Sequence, residues 1–178
     1  MICEFKMTNF KCFGEKENTI SFYAHDGIKR FECNTILTTP KRILKTVGIY
    51  GPNNTGKTCL VEALFCLKRL MEGKPIFDVS NAFKKIPLTV FDVIYNINGK
   101  TYHYNVYYDS KEKRYIRETL SIVTYAQSNP AVKNEELIIT RSGGVINSKF
   151  IKVLLDSYKE VSKDFDIEEL DNPNKGEQ

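Results

Sequence analysis

Val47-Gly48-Ile49-Tyr50-Gly51-Pro52-Asn53-Asn54-Thr55-Gly56-Lys57-Thr58 is the stretch whose reading decides the expected fold. Its last eight residues have glycine, four residues, Gly-Lys and then Ser or Thr, the phosphate-loop pattern. The four residues before them form an apolar run suited to a buried strand, and Cys59 to Leu67 carry apolar residues at helical spacing. The expected order is strand, glycine loop, helix. In such a loop Gly51 and Gly56 let successive amides converge on an anion, and a helix starting near Gly56 adds its positive end. Lys57 reaches the β- and γ-phosphates, and the Thr58 hydroxyl ligates the bridging Mg²⁺. The chain is therefore expected to bind a nucleoside triphosphate with Mg²⁺ through Gly51, Pro52, Asn53, Asn54, Thr55, Gly56, Lys57 and Thr58, with Cys59 next to the cradle.

The 178 residues are 42% hydrophobic and 27% charged, the balance of an ordinary globular domain with a real core. No apolar stretch approaches the roughly 20 residues that span a bilayer, and Glu4 and Lys6 interrupt the N-terminus, so the expected location is the cytoplasm. Five cysteines are odd in number and include no Cys-x-x-Cys pair, which reads as reduced thiols. Cys59 and Cys66 fall on one face of the expected helix, where burial is the simplest fate. His25 and His103 stand apart from each other and from any carboxylate cluster, so neither is expected to bind metal or catalyse. The formal charge of +4 is mild, and Lys41-Arg42, Lys84-Lys85 and Lys111 to Arg114 read as solvated loop ends.

Residues 2–10 alternate as a strand, and Asn18 to Tyr23 returns, so the chain opens with a hairpin. From His25 to Lys45 there are only turn signals, at Asp26-Gly27 and Thr39-Pro40. The helix after the loop runs to about Met71, before Gly73 and Pro75. Phe91, Val93, Tyr95 and Ile97 then alternate, Asn98-Gly99 supplies a type I′ turn, and Tyr102, Tyr104, Val106 and Tyr108 return; Tyr115 to Tyr125 makes this an antiparallel meander. Its tyrosines read as half-buried strand residues in preference to a base-stacking platform. Leu137 to Arg141 is a further strand ending at Gly143-Gly144. Phe150, Leu154, Tyr158, Val161 and Phe165 form a helix face, and 166–178 is a polar tail.

Hydrolysis needs an acidic residue at the end of a second strand and a group that orients water. Asp156, inside the helical periodicity, and Asp92, inside the meander, are the two candidates for the metal-side carboxylate, and the catalytic residues are not identifiable. Ser142-Gly143-Gly144 shares only small residues with a Leu-Ser-Gly-Gly signature and reads as a turn.

Phe5-Lys6-Met7-Thr8-Asn9-Phe10-Lys11-Cys12-Phe13, Gly48 to Thr58, Tyr102-His103-Tyr104 and Ile116-Arg117-Glu118-Thr119-Leu120 together resemble the N-terminal part of bacterial ABC-type ATPases of the SMC-like and OLD-like kind, also labelled AAA-family ATP-binding proteins. The similarity spans roughly residues 2–145. It implies an α/β fold, a P-loop NTPase with an ABC-ATPase-like N-terminal lobe at 1–150, built from a mixed sheet and an antiparallel β-meander subdomain. A helix at 151–165 and a polar tail or truncated linker at 166–178 would follow. The resemblance implies ATP as the nucleotide, Lys11 as a residue near the phosphates, and pairing of heads around ATP. The second lobe, with its signature and acidic strand, is missing from this sequence, so a fragment or split N-terminal half is expected. That lobe or a homodimer partner would complete hydrolysis. Roles in DNA repair, chromosome handling or phage defence beside a nuclease or other effector belong to such families, and no residue selects among them. Two alternatives stay open: a nucleotide-sensing module that never hydrolyses, and a small phosphotransferase using Asp156.

Overall fold

A long antiparallel sheet dominates the computed structural model, which describes residues 1–25, 32–37, 41–77, 79, 81–83, 86–126, 133–143 and 145–148. The strands are β1 (Ile2–Thr8), β2 (Asn18–Ser21), β3 (Thr35–Leu37), β4 (Arg42–Leu44), β5 (Leu88–Ile97), β6 (Lys100–Asp109), β7 (Arg114–Tyr125), β8 (Lys133–Ser142) and β9 (Val145–Ser148). One α-helix, α1 (Lys57–Met71), and a single 3₁₀ turn at Glu32–Asn34 complete the described elements. Seven strands form a sheet in the order β2-β1-β5-β6-β7-β8-β9, while β3 and β4 pair separately. The unit that carries this sheet spans Met1–Ile146.

The expected α/β fold with a mixed sheet is not what forms. The strand pairings from β2 through β8 are all antiparallel. Val47 to Tyr50, the expected buried strand before the phosphate loop, belongs to no sheet and is exposed, Tyr50 at 93%. A parallel strand needs neighbours for its amides and carbonyls on both sides. Here β1 is taken on both sides, by β2 and β5, and no described strand pairs with Val47 to Tyr50. Apolar composition alone therefore does not make these four residues a strand.

The local signals elsewhere give the elements they point to. Asn98 and Gly99 adopt φ of 51° and 80°, the positive pair of a type I′ turn, with the Gly99 amide donating to Asn96 Oδ1 at 3.2 Å. The turn sets the β5–β6 register of Ile97 against Lys100 and, further along, Phe91 against Val106. Asp109 Oδ1 accepts the amides of Lys111 and Glu112 and so turns the chain from β6 into β7. The opening hairpin forms as β1 and β2, and the strand expected over Leu137 to Arg141 extends to the whole of β8. Between them, the stretch left unassigned from His25 to Lys45 contains the β3–β4 hairpin. The turns expected at Asp26-Gly27 and Thr39-Pro40, the pair Lys84-Lys85, Gly144, the helix at 151–165 with Asp156, and the tail lie outside the described residues.

Helix α1 packs across one face of the sheet. Its inward residues Ala63, Cys66, Leu67 and Leu70 recur at steps of three, one and three and meet Phe5, Met7, Phe91, Val93, Tyr104 and Val106. Phe91 is fully buried, with ring centroids 5.7 Å from Phe5 and 5.5 Å from Phe10. Full burial of such a ring contributes about 1.5–3 kcal/mol. The helix ends where the Gly73 amide donates to Leu70 O at 2.9 Å and the Lys74 amide to Arg69 O at 2.8 Å. Across the core, the Tyr115 hydroxyl donates to Leu70 O at 2.8 Å and ties β7 to that last turn.

The opposite face has a smaller apolar cluster. The β1–β5 pairing slips between Ile2 and Glu4, and this bulge turns Cys3 away from the helix to meet Ile43 and Ile94. Phe22 and Tyr23 lie against the same cluster, and Ile43 comes from β4. This explains why the weakly patterned β3–β4 segment folds back: its one buried residue, Ile43, covers that cluster.

Candidate functional site

The phosphate-loop residues form a tight bend that runs straight into α1. Gly56 stands at the helix N-cap with φ 86° and ψ 8°, and no side chain caps the helix. That left-handed conformation is strained for any residue with a Cβ, and a Cβ there would lie 3.1 Å from Cys12 Sγ. The amides of Gly56, Lys57 and Thr58 make no backbone hydrogen bond among the described residues. Helix entry amides of this kind are orphan donors, and the helix dipole adds partial positive charge there.

Lys57 is folded back over the loop. Its ammonium donates to Gly51 O at 2.8 Å and to Pro52 O, while Thr55 Oγ1 donates to Pro52 O at 2.9 Å. A cavity of about 480 Å³ opens on this loop. Phe13, Ile20 and Leu60 supply apolar wall, Asn18 and Thr19 polar wall, and Gly51, Pro52, Thr55, Gly56 and Lys57 line its loop side. The site thus combines unsatisfied amides, one lysine ammonium and a partly apolar recess, a donor set that fits an anionic group attached to a flat ring. Gly51 to Thr58 would hold a triphosphate. The Thr58 hydroxyl, exposed on the first turn of α1, would supply the protein oxygen for Mg²⁺.

Lys11 comes to the same helix end, although its ammonium pairs with Glu62. The turn that carries it is held from several sides. Phe13 N–H donates to Phe10 O at 2.8 Å, Lys11 N–H to Val79 O at 3.0 Å, and Ala82 N–H to Lys11 O at 2.8 Å. Asn81 Nδ2 also donates to Phe13 O at 2.8 Å. Cys12, next on this tip, lies with its Sγ against the Gly56 end of α1. Of the two helix cysteines expected to be buried, Cys66 is, whereas Cys59 is half-exposed beside the loop.

Asp92, one of the two candidate carboxylates, lies on the sheet face away from α1. There Asp92 Oδ2 meets His103 Nε2 at 2.7 Å and Asn105 Nδ2 at 3.0 Å. On its other side His103 Nδ1 is 3.0 Å from Glu135 Oε2, and Lys133 joins Glu135 at 2.8 Å. His103 is therefore not isolated from carboxylates, as its sequence surroundings had indicated. The signal lies in strand register, since Asp92 pairs with Asn105 and Ile94 with His103. Hydrogen bonding to Asp92, only partly opposed by burial, holds the imidazole above its ordinary value of 6.5. Burial pushes the Asp92 carboxyl up, but bonds from His103 and Asn105 outweigh it and hold it below the usual carboxylate value. Among the described residues, no three or more His, Cys, Asp or Glu side chains are arranged to hold a metal ion.

No known family model and no characterised protein matches this chain. Among the described residues, no helix is long and apolar enough to cross a membrane.

Proposed function

We propose that this chain binds Mg·ATP through Gly51 to Thr58 and serves as the nucleotide-binding lobe of an ATPase that hydrolyses only with a second lobe or a dimer partner. The observation that carries the reading is the loop–helix junction: a glycine N-cap with no side-chain cap, and a lysine ammonium folded over the same bend. Lys57 satisfies itself on two loop carbonyls, and a β- or γ-phosphate would take over those donated bonds. The adjoining recess offers apolar contact for a base. Choice of adenine rests on the resemblance to SMC-like and OLD-like proteins described above.

Dependence on a partner is supported by the apolar side chains left in solvent beside the loop. Ile49 is 47% exposed, and Val61 and Phe65, one turn apart on the outer side of α1, are 59% and 56% exposed. A second layer against this side would bury them. The same partner would supply the water-orienting group. Any role beside DNA, a nuclease or another effector follows only from the resemblance.

Lys57→Ala is the direct test. Nucleotide affinity measured by calorimetry should fall by at least about tenfold, from loss of one or two charge-assisted bonds of about 1.5–3 kcal/mol each, while the circular dichroism spectrum is unchanged. Affinity retained in the folded variant would defeat the proposal. Phosphate release by the wild-type chain, alone and with its genomic neighbours' products, separates partner-dependent hydrolysis from a sensing module that never turns over.

A further inference from the structure

Lys57 and Lys11 both come to the loop–helix junction, and both are spent on the protein itself. Lys57 lies on two loop carbonyls, and the Lys11 ammonium pairs with Glu62 Oε2 at 2.5 Å. Glu62 is the one acidic residue of α1 and stands four positions beyond Thr58, so the two side chains share a face, their Cβ atoms about 5–6 Å apart. The pair therefore sits a single helical turn, about 5.4 Å, beyond the Thr58 end that would face a phosphate. The main chain that carries Lys11 is fixed. Its amide donates to Val79 O at 3.0 Å and its carbonyl accepts from Ala82 N–H at 2.8 Å. The next two residues reach Gly56, where a Cβ would lie 3.1 Å from Cys12 Sγ and 3.6 Å from Phe13 Cζ. Only the side chain is left to move, and its four-carbon stem is long enough to cross one turn.

We propose that Glu62 is a positioning residue that holds Lys11 in reserve before nucleotide binds, and that the phosphates of the nucleotide take the ammonium from it, a role that rests on nucleotide binding at Gly51 to Thr58. The exchange is favoured because the two bonds differ in strength. The Lys11 and Glu62 side chains are 35% and 42% exposed, so their pair is screened and weak, and water replaces Lys11 on Glu62 when it leaves. An ammonium on a phosphate oxygen makes a charge-assisted bond, and it adds to the amides and helix dipole already directed there. Until that moment Lys11 neutralises the Glu62 carboxylate, which would otherwise repel an arriving anion. Lys57 leaves only neutral carbonyls behind, whereas Lys11 leaves a bare charge. The exchange is therefore readable at the Glu62 carboxyl group.

Carboxyl labelling of the folded full chain with carbodiimide and glycinamide, read by mass spectrometry, tests this. On saturation with Mg·ATP, Glu62 should become about two- to fivefold more reactive as Lys11 leaves it, the opposite of the shielding that a bound ligand gives its neighbours. In Lys11→Met the same carboxyl should be reactive from the start and no longer respond to nucleotide. By calorimetry Glu62→Gln, in which Lys11 has no ion pair to break, should bind Mg·ATP about fivefold more tightly than wild type. Glu62 labelling that stays constant or falls with nucleotide would overturn the proposal and leave nucleotide binding in place, as would unchanged or weaker affinity in the folded Glu62→Gln chain. Should neither wild type nor Glu62→Gln bind Mg·ATP, the nucleotide-binding reading itself falls, and the role of Glu62 with it.

Discussion

Replacing His103 by Gln removes a charge from between two carboxylates while keeping a polar side chain of similar reach. Protonated, the imidazole donates to Asp92 Oδ2 at 2.7 Å and to Glu135 Oε2 at 3.0 Å, stapling β6 to β5 and β8. Lys6 and Glu4 from β1, Asn105 from β6 and Lys133 from β8 complete its charged and polar surroundings. Hydrogen bonds to charged groups contribute about 1.5–3 kcal/mol. With the His103 and Asp92 side chains 19% and 22% exposed, screening reduces the pair to about 1–2 kcal/mol. The sign follows from the shifts. His103 is raised above 6.5, so its contribution is complete below that pH and is lost as pH rises through the elevated value. Asp92 and Glu135 are lowered from 3.8 and 4.5, so theirs is complete above those values and lost as pH falls through the depressed ones. The full staple therefore operates between 4.5 and 6.5. Thermal melts followed by circular dichroism should place His103→Gln about 2–8 °C below wild type near pH 5.5, with the gap closing towards about pH 9. A deficit of the same size at both pH values would refute the electrostatic account and leave only packing.

Three further outcomes follow from the same structure. Phe91→Ala removes a fully buried ring from between Phe5 and Phe10 and should cost about 3–5 kcal/mol in denaturant melts; a loss below about 1 kcal/mol would mean that this core is not the one that holds the sheet. Gly56→Ala should destabilise the protein by about 1–2 kcal/mol because φ there is 86°, and should weaken nucleotide binding more than it weakens folding; unchanged affinity would show that the bend need not keep its shape. Tyr115→Phe deletes only the bond to Leu70 O and should cost about 1 kcal/mol, with hydrogen exchange accelerated first in the last turn of α1.

Local chemistry made much of this protein legible in its sequence. The positive-φ pair Asn98-Gly99, the alternation on either side of it and the helical spacing from Cys59 to Leu67 act over a few residues, and their elements form where they are expected. What the sequence could not decide depended on partners far along the chain. Val47 to Tyr50 has strand composition, but a strand exists only where another backbone accepts its hydrogen bonds, and β1 and β5 satisfy each other instead. His103 looked solitary because register, set by a turn several residues away, brings Asp92 and Glu135 to it. Short-range conformational preference is written residue by residue, whereas pairing across the sheet and contact between distant side chains are settled by the competition among all surfaces that could be buried together.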